Sequence, residues 1–93
     1  MQLTVEFFGI PRQRAGCAEI KLSLPGCQDS ATLGEILGTL GRELPAFARE
    51  CLAENQLRPG YIANISGERF ISDPGSAISA GETLLIFSAD VGG

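Results

Sequence analysis

Apolar and polar residues alternate from the third position of the chain, where Leu3, Val5 and Phe7 are separated by Thr4 and Glu6. A period of two marks a strand with one face on a core, so these three are core candidates. The alternation returns in residues 18–24, with Ile20, Leu22 and Leu24 set against Glu19, Lys21 and Ser23, and Pro25-Gly26 closes this second strand. Residues 9–16, which contain Pro11, read as a connection, so the two strands form an antiparallel hairpin. The period then changes. Leu33, Ile36, Leu37 and Leu40 recur at the spacing of one buried helix stripe, and Thr32-Leu33-Gly34-Glu35 has the form of a capping box that starts the helix at Leu33. Gly34 and Gly38 lower its intrinsic helicity by about 1 kcal/mol each relative to Ala, which predicts close packing against the sheet. Pro45 disfavours helical geometry at Leu44 and opens a short second helix to about Ala53, with Phe47, Cys51 and Leu52 inward.

After Pro59-Gly60, residues 61–65 read as a strand, Ser66-Gly67 as a tight turn and residues 68–71 as a short return strand. Two more turns, at Asp73-Pro74-Gly75 and Ala80-Gly81-Glu82, precede Thr83-Leu84-Leu85-Ile86-Phe87, apolar almost throughout, as a strand covered on both faces would be. Hairpin, helix, short strands and a last apolar strand follow the order of an α+β, β-grasp fold: a mixed sheet of four to five strands over one main helix. The right-handed crossover through the helix supplies the parallel pairing. A ferredoxin-like arrangement would need a second full helix in residues 66–82, which are instead rich in Gly, Pro and Ser.

With 93 residues the chain forms one domain, and a hydrophobic fraction of 44% excludes disorder. A net charge of −4 with seven dispersed Lys and Arg residues argues against nucleic acid and in favour of basic partners. Residues 1–6 lack the basic start and apolar core of a signal peptide, and no apolar run is long enough for a membrane span, so a cytoplasmic location is expected. Cys17, Cys27 and Cys51 form no C-x-x-C pair and are read as small packed hydrophobes. Histidine is absent, which removes Ser/His and Cys/His catalysis and the commonest metal ligand.

The chemistry open to this chain lies at its end. Residues 1–87 make the domain, and Ser88-Ala89-Asp90-Val91-Gly92-Gly93 reads as a flexible tail. Two glycines lack Cβ atoms and pass where other residues clash, so they can deliver a terminal carboxylate into a partner's active site. The opening Val5-Glu6-Phe7-Phe8-Gly9-Ile10-Pro11-Arg12-Gln13-Arg14-Ala15-Gly16, the helix start at Thr32-Leu33, the turn Gly81-Glu82-Thr83-Leu84 and Ile86-Phe87 leading to Gly92-Gly93 together resemble the MoaD/ThiS family of ubiquitin-like sulfur carriers. Phe8, Gly9, Arg12 and Gly16 fill the Phe, small-residue, Arg and Gly places of the molybdopterin synthase small subunit, the branch resembled most. Those carriers usually read Phe-Pro-Pro-apolar-small-Gly-Gly at the end, where this chain has Asp90 and no proline.

The resemblance implies a sulfur carrier that is not itself an enzyme but a co-substrate or small synthase subunit. An E1-like adenylating enzyme (MoaB/MoeB/ThiF-like class) would use ATP with Mg to join Gly93 to AMP, and persulfide or sulfide would displace AMP to leave a Gly93 thiocarboxylate. Further implied partners are a synthase large subunit (MoaE-like) and a sulfurtransferase or cysteine desulfurase, with no cofactor or metal bound by this chain and no nucleic acid or membrane. Gly92, Val91, Asp90, Phe8, Arg12, Phe70 and Phe87 are the implied partner-binding residues, although burial in the core is the more frequent state of a large apolar side chain such as Phe8, Phe70 or Phe87. Molybdopterin synthesis is the first pathway implied. A carrier for thiazole, cysteine or another sulfur metabolite, a ubiquitin-like protein modifier joined to lysines, and a plain β-grasp interaction module remain open.

Overall fold

The computed structural model describes residues 1–89, and the expectations that fall on Asp90, Val91, Gly92 and Gly93 lie outside the described residues. The first alternation forms β1 (Gln2–Phe7), with Leu3, Val5 and Phe7 buried. The second forms β2 (Glu19–Ser23), antiparallel to β1 in a register that sets Val5 opposite Ile20 and Glu6 opposite Glu19. Leu22 and Leu24 are buried, while Ile20 is half-buried near the sheet edge.

The connection between them, expected to be a hairpin loop, instead holds a helix, α1 (Ile10–Ala15). Pro11 suits its first turn, and Gly16, at φ 79°, ends it in the left-handed region with its N–H donated to the Arg12 carbonyl. Beyond β3 (Ser30–Thr32), α2 (Leu33–Glu43) begins at the predicted residue. Its capping box is complete: Glu35 N–H donates to Thr32 Oγ1 at 3.1 Å, and Thr32 N–H donates to Glu35 Oε1 at 2.9 Å. Leu33, Ile36, Leu37 and Leu40 are buried in one stripe, each contributing about 1.5–3 kcal/mol. The α2 glycines pack on loops rather than on the sheet: a Cβ at Gly38 would stand 3.1 Å from Asn55 Oδ1, and one at Gly34 would stand 3.4 Å from the Pro74 carbonyl oxygen.

A short helix follows, α3 (Pro45–Cys51), two residues shorter than predicted because Leu52 turns into β4 (Leu52–Ala53), which pairs with β5 (Gln56–Leu57). Phe47 from α3 meets Phe7 edge to face at 5.3 Å in the core. Then come β6 (Tyr61–Ile65) and β7 (Arg69–Ile71), joined by a turn with Ser66 at φ 55° and Gly67 at φ 76°. In the segment read as turns, β8 (Ala77–Ser79) pairs with β3 and buries Ile78. The last strand is β9 (Thr83–Ser88).

The main sheet has the order β2-β1-β9-β6-β7, with β9 central, parallel to β1 and antiparallel to β6. This is the β-grasp arrangement, with α2 and α3 on one face. β9 is not covered on both faces, as its continuous apolarity implied: Leu84, Ile86 and Ser88 are buried, whereas Leu85 and Phe87 on the other face are only half-buried. Among the described residues no helix lies over that second face, so this mixed-sheet strand alternates between a buried and a half-buried face.

Candidate functional site

The central strand is the last described element before the glycine pair in sequence, and the structure fixes where that strand ends. Ser88, opposite Tyr61, belongs to β9 and is 5% exposed, so the strand extends one residue past the expected boundary at Phe87. Ala89 N–H then donates to the Gly60 carbonyl at 2.7 Å. Gly60 sits at φ 99°, an angle that favours glycine, which lets the Pro59-Gly60 turn present that carbonyl. Ser88 Oγ is buried without a hydrogen-bond partner among the described residues, and a Cβ at Gly9 would stand 3.8 Å from it. Ile10, Pro59, Gly60 and Tyr61 line a shallow groove beside this strand end.

Strand register assembles the open face next to the strand end. Phe70, Asn64, Leu85, Glu6 and Glu19 stand in one row across β7, β6, β9, β1 and β2. In the adjoining row Ile62 faces Phe87, and Phe8 follows β1 with its N–H donated to the Ile86 carbonyl at 3.0 Å. Phe70 and Phe87 meet edge to face at 6.3 Å. Phe70 is 69% exposed and Phe8 41%, so neither takes the core position that is commoner for a phenylalanine. Of the sequence candidates, Phe8, Phe70 and Phe87 thus share one face. Arg12 is exposed on α1, outside these rows. Ile62, Asn64, Leu85, Glu6 and Glu19 were not singled out from the sequence, although extending the period of two through β6 and β9 would have placed the first three.

Charge and protonation distinguish this face from the interior. Arg69 closes the β7 edge with an ion pair to Glu82 at 2.9 Å, and that contact, together with the Ser79 N–H, holds the Glu82 carboxyl below the usual carboxylate range. On the helix side, Tyr61 donates its hydroxyl to Glu50 Oε2 at 2.7 Å, and the neighbouring carboxylate pushes the phenol up to about 12. Burial pushes the Cys51 thiol up to about 11, which makes it unreactive as a nucleophile. Cys17 and Cys27 are free and partly buried. Among the described residues no group of three or more His, Cys, Asp or Glu side chains could hold a metal, and no helix is long and apolar enough to cross a membrane.

These features define a β-grasp protein of the ubiquitin-like kind, with an apolar sheet face beside the end of its last strand. No protein-family model matches the chain, and no curated protein matches it significantly. Solved structures do. SAMP1 from Haloferax volcanii superposes with a TM-score of 0.78 at 24% identity, covering 100% of both chains. A second structure, of the H. volcanii small archaeal modifier protein 1, gives 0.75 at 23% identity over 94% of this chain and 95% of the other. A candidate molybdopterin converting factor subunit 1 from Pyrococcus furiosus gives 0.74 at 20% identity, over 95% and 97%. At these identities the likeness establishes the fold, and the neighbours accord with the MoaD/ThiS resemblance drawn from the sequence.

Proposed function

We propose that the chain is a ubiquitin-like sulfur carrier whose Gly93 carboxylate is activated by a separate adenylating enzyme and converted to a thiocarboxylate, first for molybdopterin synthesis. The observation that carries the reading is the position of the glycine pair. Its two glycines are the third and fourth residues after Ala89, the residue that hydrogen-bonds the end of the central strand to Gly60. In the reaction, the carboxylate would attack the α-phosphorus of ATP and release pyrophosphate, giving a mixed anhydride with AMP as leaving group. Sulfide displaces AMP directly; a persulfide displaces it to give an acyl disulfide, which a thiol then reduces to the thiocarboxylate. ATP and Mg chemistry belong to the adenylating partner, and Phe8, Phe70 and Phe87, with Arg12, offer it a docking surface. The P. furiosus neighbour's description as a molybdopterin converting factor subunit supports the pathway.

Coexpression with an E1-like adenylating enzyme and a sulfur source is expected to place one sulfur-for-oxygen exchange on Gly93. Fragmentation must localise it, because oxidation adds nearly the same mass. An unmodified Gly93 under conditions that thiolate a known carrier would sink the proposal. The H. volcanii small archaeal modifier protein 1 favours, by its name, a second reading in which the same activated Gly93 ends in an isopeptide bond to a lysine. Gly-Gly remnants on cellular lysines would select it. Deleting Gly92 and Gly93 should leave the fold intact and abolish function under both readings, whereas a plain interaction module would keep its function.

A further inference from the structure

The open sheet face pairs an apolar half with an unneutralised acidic half. Glu6 and Glu19 are directly opposite each other across β1 and β2 and point away from the core, a like-charge pairing that costs stability. Neither forms an ion pair among the described residues; the one nearby cation on that face, Lys21, donates to Thr4 Oγ1 at 3.0 Å instead. In the same row, two strands from Glu6, Asn64 is 5% exposed and its Oδ1 has no hydrogen-bond partner. A buried acceptor without a partner carries a desolvation cost, and because Asn64 Oδ1 is itself covered, a donor brought by another molecule would remove that cost once the amide turns outward. Between these two polar positions lie Leu85 and Phe87, half-buried, with Phe70 exposed at the edge.

Three features that each cost folding free energy therefore share one face, and one kind of occupant relieves all three. We infer that this face docks a basic-apolar segment of a partner protein, which sets a Lys or Arg between Glu6 and Glu19, an apolar side chain on Leu85 and Phe87, and an N–H donor on Asn64 Oδ1. Strands lie about 4.8 Å apart, so a cation between β1 and β2 and a donor over β6 are spaced by about 12 Å. That spacing is a little over two turns of a helix, or three to four residues of an extended chain. The net charge of −4 favours the same cationic partner at longer range. The inference rests on the sulfur-carrier reading only in sharing Phe70 and Phe87 with its docking surface.

The test is an amide NMR titration of the full chain with two capped peptides, one alternating leucine and arginine, the other leucine and glutamate. The arginine peptide should shift Glu6, Asn64, Phe70 and Leu85 and bind about tenfold more tightly, the difference of one charge-assisted contact. Combining Glu6→Gln with Glu19→Gln should erase that preference. Asn64→Leu, close in volume, should weaken binding severalfold while leaving the melting temperature unchanged or higher. Shifts confined to the helical side, equal affinity for the two peptides, no saturable shift, or variants that bind like the parent chain would each overturn the inference. Removing Gly92 and Gly93 should leave peptide binding unchanged. A failed titration with Gly93 still activated therefore counts against the docking surface alone, and the reverse result counts against the carrier alone.

Discussion

Leu84 and Ile86 alternate along β9 with Leu85 and Phe87, and by composition the two pairs are equivalent. The first pair is fully buried against the helices, whereas the second is half-buried on a face that no element among the described residues covers. One strand thus spends half of its apolar residues on folding and leaves the other half for contact. The same asymmetry runs across the sheet. β2 bears Glu19 and Lys21 on its open face, which blunt an edge against unwanted pairing, while β7 bears the exposed Phe70. An exposed aromatic beside a half-buried one is a feature that interaction surfaces share and ordinary surfaces mostly lack.

The largest expected effect separates the two faces of β9. Ile86→Ala should cost about 2–5 kcal/mol in chemical denaturation, as a cavity in a closed core does. A cost below about 1 kcal/mol would mean that the inner face is not the core. The second effect tests Tyr61, whose hydroxyl is held by Glu50 at the rim of that core. Its pKa is raised in the folded state from the ordinary 10 to about 12, so the folded chain keeps a proton that the unfolded chain releases. This contribution is fully present below pH 10 and is lost as the pH rises toward 12. Denaturation measured across that window should show falling stability in the parent chain and a flatter profile in Tyr61→Phe.

On the open face the expected effects are smaller, and the third has the opposite sign. Glu19→Lys replaces a cross-strand repulsion with an attraction to Glu6 and should stabilise the fold by about 0.2–1 kcal/mol. A gain in stability with a loss of binding is the signature of a residue kept for contact. Destabilisation by Glu19→Lys would show that the two carboxylates do not repel. Last, Phe70→Ala should change stability by no more than about 0.5 kcal/mol. A larger loss would move Phe70 from the contact face into the fold's own support.

The elements legible in the sequence are those whose signals are local. The alternation within β1, that within β2, the Thr32–Glu35 cap and the α2 stripe each lie within a dozen residues and needed no tertiary information. α1 was missed because six residues are too few to show a helical period; Pro11 and Gly16 were its remaining marks. The pairing of β3 with β8 joins segments more than forty residues apart, and no residue in either one names its partner. The continuous apolarity of β9 was misread for a related reason: a run of apolar residues looks the same whether its second face meets a helix or water. The phenylalanines of the site were visible as residue types. Asn64 and the Glu6–Glu19 pair were not, because their meaning comes from register, which assembles a row from five strands.

The hydrogen bond from Ala89 to Gly60 acts as a ruler. Only four residues separate that fixed point from the end of Gly93, and four residues of extended chain reach at most about 14 Å. Any enzyme that activates Gly93 while resting on the folded surface must hold its reacting phosphorus within that depth. Lengthening the chain by one residue after Ala89 would displace the carboxylate by about 3.5 Å, more than a single bond length. An activating enzyme would therefore register a change of one residue that the fold itself would not feel.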